Sequence, residues 1–192
     1  MRIIAITTPK VVDEDGYIIT SLLDLGIDIL HLRKPESGID ECRKLLETLS
    51  DTHRRRIVIH DYPELYDEFS LRGIHINRRV TQHPKGYDGL RTRSCHSFEE
   101  VVRFKGDYDY LLLSPIFDSI SKSGYGSAFS SEELRRASQQ GIIDDRVVAL
   151  GGVTLDKIDY LRDMHFGGVA MVGAIYSVEG VARLKERGSI RG

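Results

Sequence analysis

The stretch Ser114-Pro115-Ile116-Phe117-Asp118-Ser119-Ile120-Ser121-Lys122-Ser123-Gly124-Tyr125-Gly126 gathers serine hydroxyls, one lysine and two glycines. Hydroxyl and backbone N–H donors around one mobile cation suit the oxygens of an anion. A solvated Ser/Gly-rich loop is the plainer reading, because long loops are often but not always functional. Matching chemistry recurs along the chain in His31-Leu32-Arg33-Lys34, His60-Asp61, His75 and Asn77, Arg93-Ser94-Cys95-His96, Gly151-Gly152 and Gly173-Ala174. Arg33, Lys34, Ser94, Ser121 and Lys122 together make a cationic, hydroxyl-bearing clamp. Asp61 adds a carboxylate, and Mg²⁺ is usually held by one or two carboxylates plus phosphate oxygens. The glycine pairs offer backbone N–H groups to a second phosphate. A diphosphate beside a monophosphate, with no nucleotide fingerprint, suggests displacement of a diphosphate leaving group.

Each residue also has a plainer role. Arg33 and Lys34 could be a solvated pair at a strand end. Asp61 could cap the helix after Pro63. His60 and His75 lie in apolar strands, where a histidine is more often a satisfied core residue than a ligand. Ser94 and His96 could cap the following helix, and strand-to-helix turns use glycine routinely. What favours chemistry is that every one of these groups falls at the C-terminal end of an apolar run.

Those runs alternate with amphipathic segments from end to end. Strands are expected at residues 3–7, 28–33, 56–60, 73–76, 89–94, 108–113, 146–150 and 167–172. Helices are expected at 17–25, 39–50, 63–70, 97–104, 131–140, from 154 onward and at 177–187. Ser130-Ser131-Glu132-Glu133 is an N-cap signal. Residues 78–88 have no helical period and contain Pro84 and Gly86, so an irregular connection is expected there. Strict βα alternation implies a parallel sheet. Eight units without a reversal point favour a closed (β/α)8 TIM barrel, a single domain over residues 1–192 with some helices shortened, over a flavodoxin-like open sheet. In such a barrel, chemistry sits at the strand C-terminal ends.

The composition fits a soluble globular protein, with 41% apolar and 29% charged residues among 192. A formal charge of −2 argues against nucleic acid as the main partner. No apolar run approaches the ~18 residues of a membrane span. The N-terminal apolar run, Met1–Thr7, is too short for a signal peptide. A cytoplasmic location is expected, with Cys42 and Cys95 reduced and small phosphorylated molecules as partners. Nothing in the composition decides between a monomer and a homo-oligomer.

The order His31-Leu-Arg-Lys-Pro35, His60-Asp61, Gly73-Ile-His-Ile76, Ser94-Cys-His-Ser97, Ser114 to Lys122, Ala149-Leu-Gly-Gly-Val153 and Gly168 to Ile175 resembles the thiamine-phosphate synthase and thiazole tautomerase superfamily. The resemblance covers essentially the whole chain, and its most specific part is the Pro-Ile-Phe-x-Ser-x-Ser-Lys loop. It implies a barrel that joins hydroxymethylpyrimidine diphosphate to a thiazole phosphate and releases pyrophosphate. By position it implies that Arg33, Ser94 and Lys122 hold the diphosphate and Asp61 binds Mg²⁺. It further implies that Ser119 and Ser121 contact the thiazole substrate, and that Gly151, Gly152, Val172 and Gly173 receive its phosphate.

The departures from the synthase pattern are specific. His31-Leu-Arg-Lys-Pro stands for Gln-x-Arg-Glu-Lys, so Lys34 is one place early. His60 stands for an asparagine. Arg78, Arg79 and Val80 occupy the place of the second magnesium carboxylate, which implies weak Mg²⁺ binding and an arginine standing in for part of the metal's charge. The tautomerase branch has a histidine where this chain has Pro115. An isomerase of that type and a non-catalytic phosphate-binding relative are the alternatives to the transferase.

Overall fold

The computed structural model describes residues 1–118 and 128–187. Ser119, Ser121 and Lys122 lie outside the described residues. Eight parallel strands close into a barrel in sequence order. They are β1 (Arg2–Ile6), β2 (Ile29–Leu32), β3 (Ile57–Ile59), β4 (Gly73–Ile76), β5 (Leu90–Cys95), β6 (Tyr110–Leu113), β7 (Val147–Leu150) and β8 (Gly168–Met171). The helices are α1 (Asp15–Asp24), α2 (Ile39–Glu47), α3 (Asp51–Arg54), α4 (Leu65–Phe69), α5 (Phe98–Phe104), α6 (Ser131–Gln139), α7 (Ile158–Asp163) and α8 (Val178–Arg187). A 3-10 turn, Leu155–Lys157, leads into α7. The expected βα alternation is therefore present, the open-sheet alternative is excluded, and no helix joins β4 to β5. The short α3 has no counterpart among the expected helices. It is one turn long, too short for periodicity to register, and Ser50 caps it through its side chain.

The chain divides into two compact units, residues 4–90 with 172–192 and residues 1–3 with 91–171. In the first, Ile4, Leu22, Leu30, Leu46 and Ile57 are wholly buried. In the second, Leu111, Leu112, Val147, Val148 and Leu161 are. Strands β3 and β6 are buried along their whole length, as expected where helices cover a parallel sheet. Local signals set the helix starts. The Ser130 hydroxyl accepts from Glu133 N, and Glu133 Oε2 accepts from Ser130 N at 2.7 Å, so two otherwise orphaned donors are satisfied reciprocally. Ser97 caps α5 through Glu100 N at 3.2 Å.

Candidate functional site

The unit containing β1 to β4 carries most of the described candidates. Leu30↔Ile57, His31↔Val58 and Leu32↔Ile59 fix β2 on β3, and Val58↔Gly73 and Ile59↔Ile74 fix β3 on β4. One step beyond these pairs, His60 comes level with His75, and His31 lies lower on β2. The three rings meet. His31 Nδ1 and His60 Nε2 are 2.7 Å apart, and His60 stacks on His75 with ring centroids at 4.0 Å. Burial holds His31 at about 3, far below the ordinary imidazole, and holds His60 well below it too, with the neighbouring His75 and His31 adding to the effect. Neutral imidazoles are the result. His60 and His75 are both buried, at 5% and 0% exposure.

One nitrogen from each ring lies within 4.8 Å of the others. A metal bound at about 2.0–2.1 Å from tetrahedral nitrogens would separate them by roughly 3.3 Å. The 2.7 Å contact is instead a hydrogen bond that uses one lone pair and one proton. The cluster reads as a hydrogen-bonded, stacked floor. His31 and His60 stand where the synthase pattern has two amides, and they offer the same donor and acceptor types.

Arg33 and Lys34 have opposite fates. Strand alternation sends successive side chains to opposite faces. Arg33 follows His31, and its backbone is clamped to β1: its N donates to Thr7 Oγ1 at 3.0 Å and its carbonyl accepts from that hydroxyl at 2.9 Å. Among the described residues its guanidinium forms no ion pair. Lys34 turns the other way and is only 1% exposed. Its Nζ donates to Asp15 Oδ2 at 2.6 Å and to the Lys10 carbonyl at 2.9 Å. Asp15 Oδ1 accepts from the Tyr176 hydroxyl at 2.6 Å. The expectation that Lys34 binds substrate is therefore corrected. One place early in the motif means the wrong face, and the ammonium is spent inside a buried ion pair.

Asp61 is not the cap of α4. The N-cap position there is Glu64, which makes no side-chain cap bond. Asp61 Oδ2 accepts from Lys34 N at 3.0 Å and Oδ1 from Arg79 Nε at 2.8 Å. The next residue, Tyr62, has φ of +57°, a left-handed conformation that turns the chain away. Asp61 is 9% exposed at its side chain and Arg79 48%. A magnesium ion requires carboxylate oxygens at about 2.0–2.1 Å. Here one oxygen already faces a cation, and Arg78, Arg79 and Val80 bring no second carboxylate. The residues do not fit a resident Mg²⁺.

In the other unit, Arg93 packs outward over Phe104, 3.9 Å from the ring centroid. Alternation therefore turns Ser94 inward with Thr92. Ser97, not Ser94, is the cap of α5. His96 Nδ1 lies 3.0 Å from the Ser114 carbonyl, at the end of β6. Gly151 and Gly152 have φ of +95° and +60°. A Cβ on Gly151 would come within 2.8 Å of Pro115 Cα, and one on Gly152 within 2.4 Å of the Asp118 carbonyl. Both glycines are thus required by the turn and by the loop behind it. Lys157, not flagged by the sequence, donates to the Gly152 carbonyl at 2.8 Å and lies over the Phe117 ring. The 3-10 turn Leu155–Lys157 brings it back to the glycine turn, a placement that no local sequence signal carries. Val172 and Gly173, which belong to the unit of residues 4–90, follow β8, and the Val172 carbonyl accepts from Tyr176 N at 2.8 Å. Space at Gly173 is open, so packing does not demand a glycine there.

The model of the thiamine monophosphate synthase family matches residues 3–175. The chain belongs to that family. Thiamine-phosphate synthases from Bacillus cereus and Clostridioides difficile are each 27% identical, over 84% and 86% of this chain and 78% and 82% of their own lengths. The thiamine phosphate pyrophosphorylase of Bacteroides thetaiotaomicron matches in structure with a TM-score of 0.85 at 38% identity, over 98% of both chains. A thiamine phosphate pyrophosphorylase from Pyrococcus furiosus shares the fold at a TM-score of 0.77 and 18% identity. The resemblance read from the motifs thus holds for the family, its transferase type and its place in thiamine biosynthesis. Among the described residues, no helix is long and apolar enough to cross a membrane.

Proposed function

We propose that this chain is a thiamine-phosphate synthase, working as one barrel over residues 1–192. It condenses hydroxymethylpyrimidine diphosphate with a thiazole phosphate. The C–O bond between the pyrimidine methylene and the diphosphate breaks, and its electron pair leaves with pyrophosphate. The thiazole nitrogen then gives its lone pair to the methylene carbon. No proton needs to move. What the protein must supply is stabilisation of charge on the departing diphosphate, usually the largest catalytic term in such reactions. The reading assigns that task to Arg33, Ser94 and Lys122. It assigns the heterocycle of the diphosphate substrate to His31 and His60, and the thiazole to Ser119 and Ser121. The second phosphate goes to Gly151, Gly152, Val172 and Gly173.

The observation that carries the reading is Arg33, with its backbone clamped by Thr7 and its guanidinium in no ion pair among the described residues, in a chain of this family. Mg²⁺, which the resemblance implies on Asp61, has no seat in it, because Arg79 already pairs with that carboxylate. The cytoplasm is the compartment where the reading places the reaction.

Lys122→Ala is the test. It should lower turnover by about a hundredfold or more, the scale of removing one charge-stabilising donor, with the thermal midpoint unchanged. Full activity in that variant would remove Lys122 from the reaction. Pro115 in place of the tautomerase histidine disfavours the isomerase. Aromatisation of the thiazole carboxylate phosphate without the pyrimidine substrate would reinstate it.

A further inference from the structure

Asp61 and Arg79 occupy the ground where a metal would be expected, and their surroundings are built to hold them. Asn77 organises the turn after β4. Its Oδ1 accepts from Arg79 N at 2.8 Å and from Val80 N at 3.1 Å, and its amide donates to the His60 carbonyl at 3.0 Å. The Asn77 N donates to the Val80 carbonyl at 2.9 Å, closing the turn. Arg79 is thereby tied to the end of β3, and Asp61 fixes its side chain through Nε alone. Nη1 and Nη2 form no ion pair among the described residues, and almost half of the side chain is exposed.

Asp61 also joins this turn to the Arg33–Lys34 turn through the Lys34 amide. The β2–β3 register brings Arg33 level with His60, and Arg79 is held on Asp61, the next residue, so both arginines belong to one end of these strands. A planar guanidinium with two free terminal nitrogens matches phosphate oxygens in a bidentate fashion. A divalent ion on Asp61 Oδ1 would have to displace a guanidinium already 2.8 Å away.

We infer that this chain binds the diphosphate group without a divalent metal, with Arg79, held by Asp61, supplying beside Arg33 the positive charge that Mg²⁺ would supply. The inference rests on the reading that a diphosphate is the leaving group, and it adds the residue and the ionic requirement. Arg79 is a binding residue here, and Asp61 and Asn77 are positioning residues. Arg78, its neighbour, makes no hydrogen bond or ion pair among the described residues, so the sequence expectation narrows to one of the two arginines.

The test is calorimetric titration of the full chain with inorganic pyrophosphate, once in EDTA and once in excess Mg²⁺. Binding in EDTA should be at least as tight as in Mg²⁺. Arg79→Gln should weaken it in EDTA by roughly tenfold to a hundredfold, the scale of a charged hydrogen bond, and Arg78→Gln should leave it unchanged. Circular dichroism should show both variants folded. Binding that appears only with Mg²⁺, or an Arg79→Gln variant that binds as the parent does, would overturn the inference and leave the synthase reading standing. No binding under either condition would overturn both.

Discussion

Lys34 is the residue whose role changes most between sequence and structure. Its ammonium sits at 2.6 Å from Asp15, both side chains fully buried. Burial lowers its pKa, and the Asp15 carboxylate works against that fall. Burial is also the main reason that the Tyr176 hydroxyl is pushed above its usual range, with the Asp15 charge beside it. Removing one partner of such a pair leaves a buried charge uncompensated, which costs about 3–5 kcal/mol. Lys34→Met should therefore lower the urea midpoint markedly while leaving the KM for the diphosphate substrate within about twofold. A raised KM at unchanged stability would return Lys34 to the substrate site. Single-residue motif reading has no access to this, because one position of strand register exchanges the two faces.

At the scale of elements, β2, β3 and β4 each deliver one histidine to a common floor. Those imidazoles give the fold a pH dependence of defined sign. In the unfolded chain a histidine takes up its proton near 6.5, whereas His31 in the fold does so only near 3. Between those values the unfolded state holds more protons, so stability is complete above 6.5 and falls as the pH drops toward 3. His60 shifts in the same direction. The slope is about 1.4 kcal/mol per pH unit for each such histidine. Urea unfolding at pH 7 and pH 5 should show the loss, and His31→Gln should make it shallower. An unchanged midpoint would mean that the rings are already charged in the fold.

The turns behave differently. Gly151-Gly152 was readable as a strand-to-helix turn, and the positive φ values and the close approach of Pro115 and Asp118 are what make glycine necessary there. The Ser130 capping box and the irregular 78–88 connection were equally legible, because each is a local signal. The Arg79–Asp61 pair was legible only as a suspicion about charge. Eighteen residues separate the partners, and only the pairing of β3 with β4 brings the end of one strand beside the turn after the other.

Across the whole molecule, the period of the apolar runs and their strict alternation sufficed for the barrel, since eight parallel strands with covering helices have few other ways to close. What periodicity does not carry is which face a residue beyond the strand end takes, as at Lys34, or which carboxylate is already neutralised from within, as at Asp61. Both are decided by long-range packing.

The central claim is that this barrel transfers a pyrimidinylmethyl group from diphosphate to a thiazole nitrogen. It is tested most directly by incubating the purified chain with both substrates and quantifying thiamine phosphate and pyrophosphate in the same samples. The account predicts that the two products rise together, in equal amounts and above a protein-free control. Pyrophosphate release without thiamine phosphate, or neither product, would contradict it.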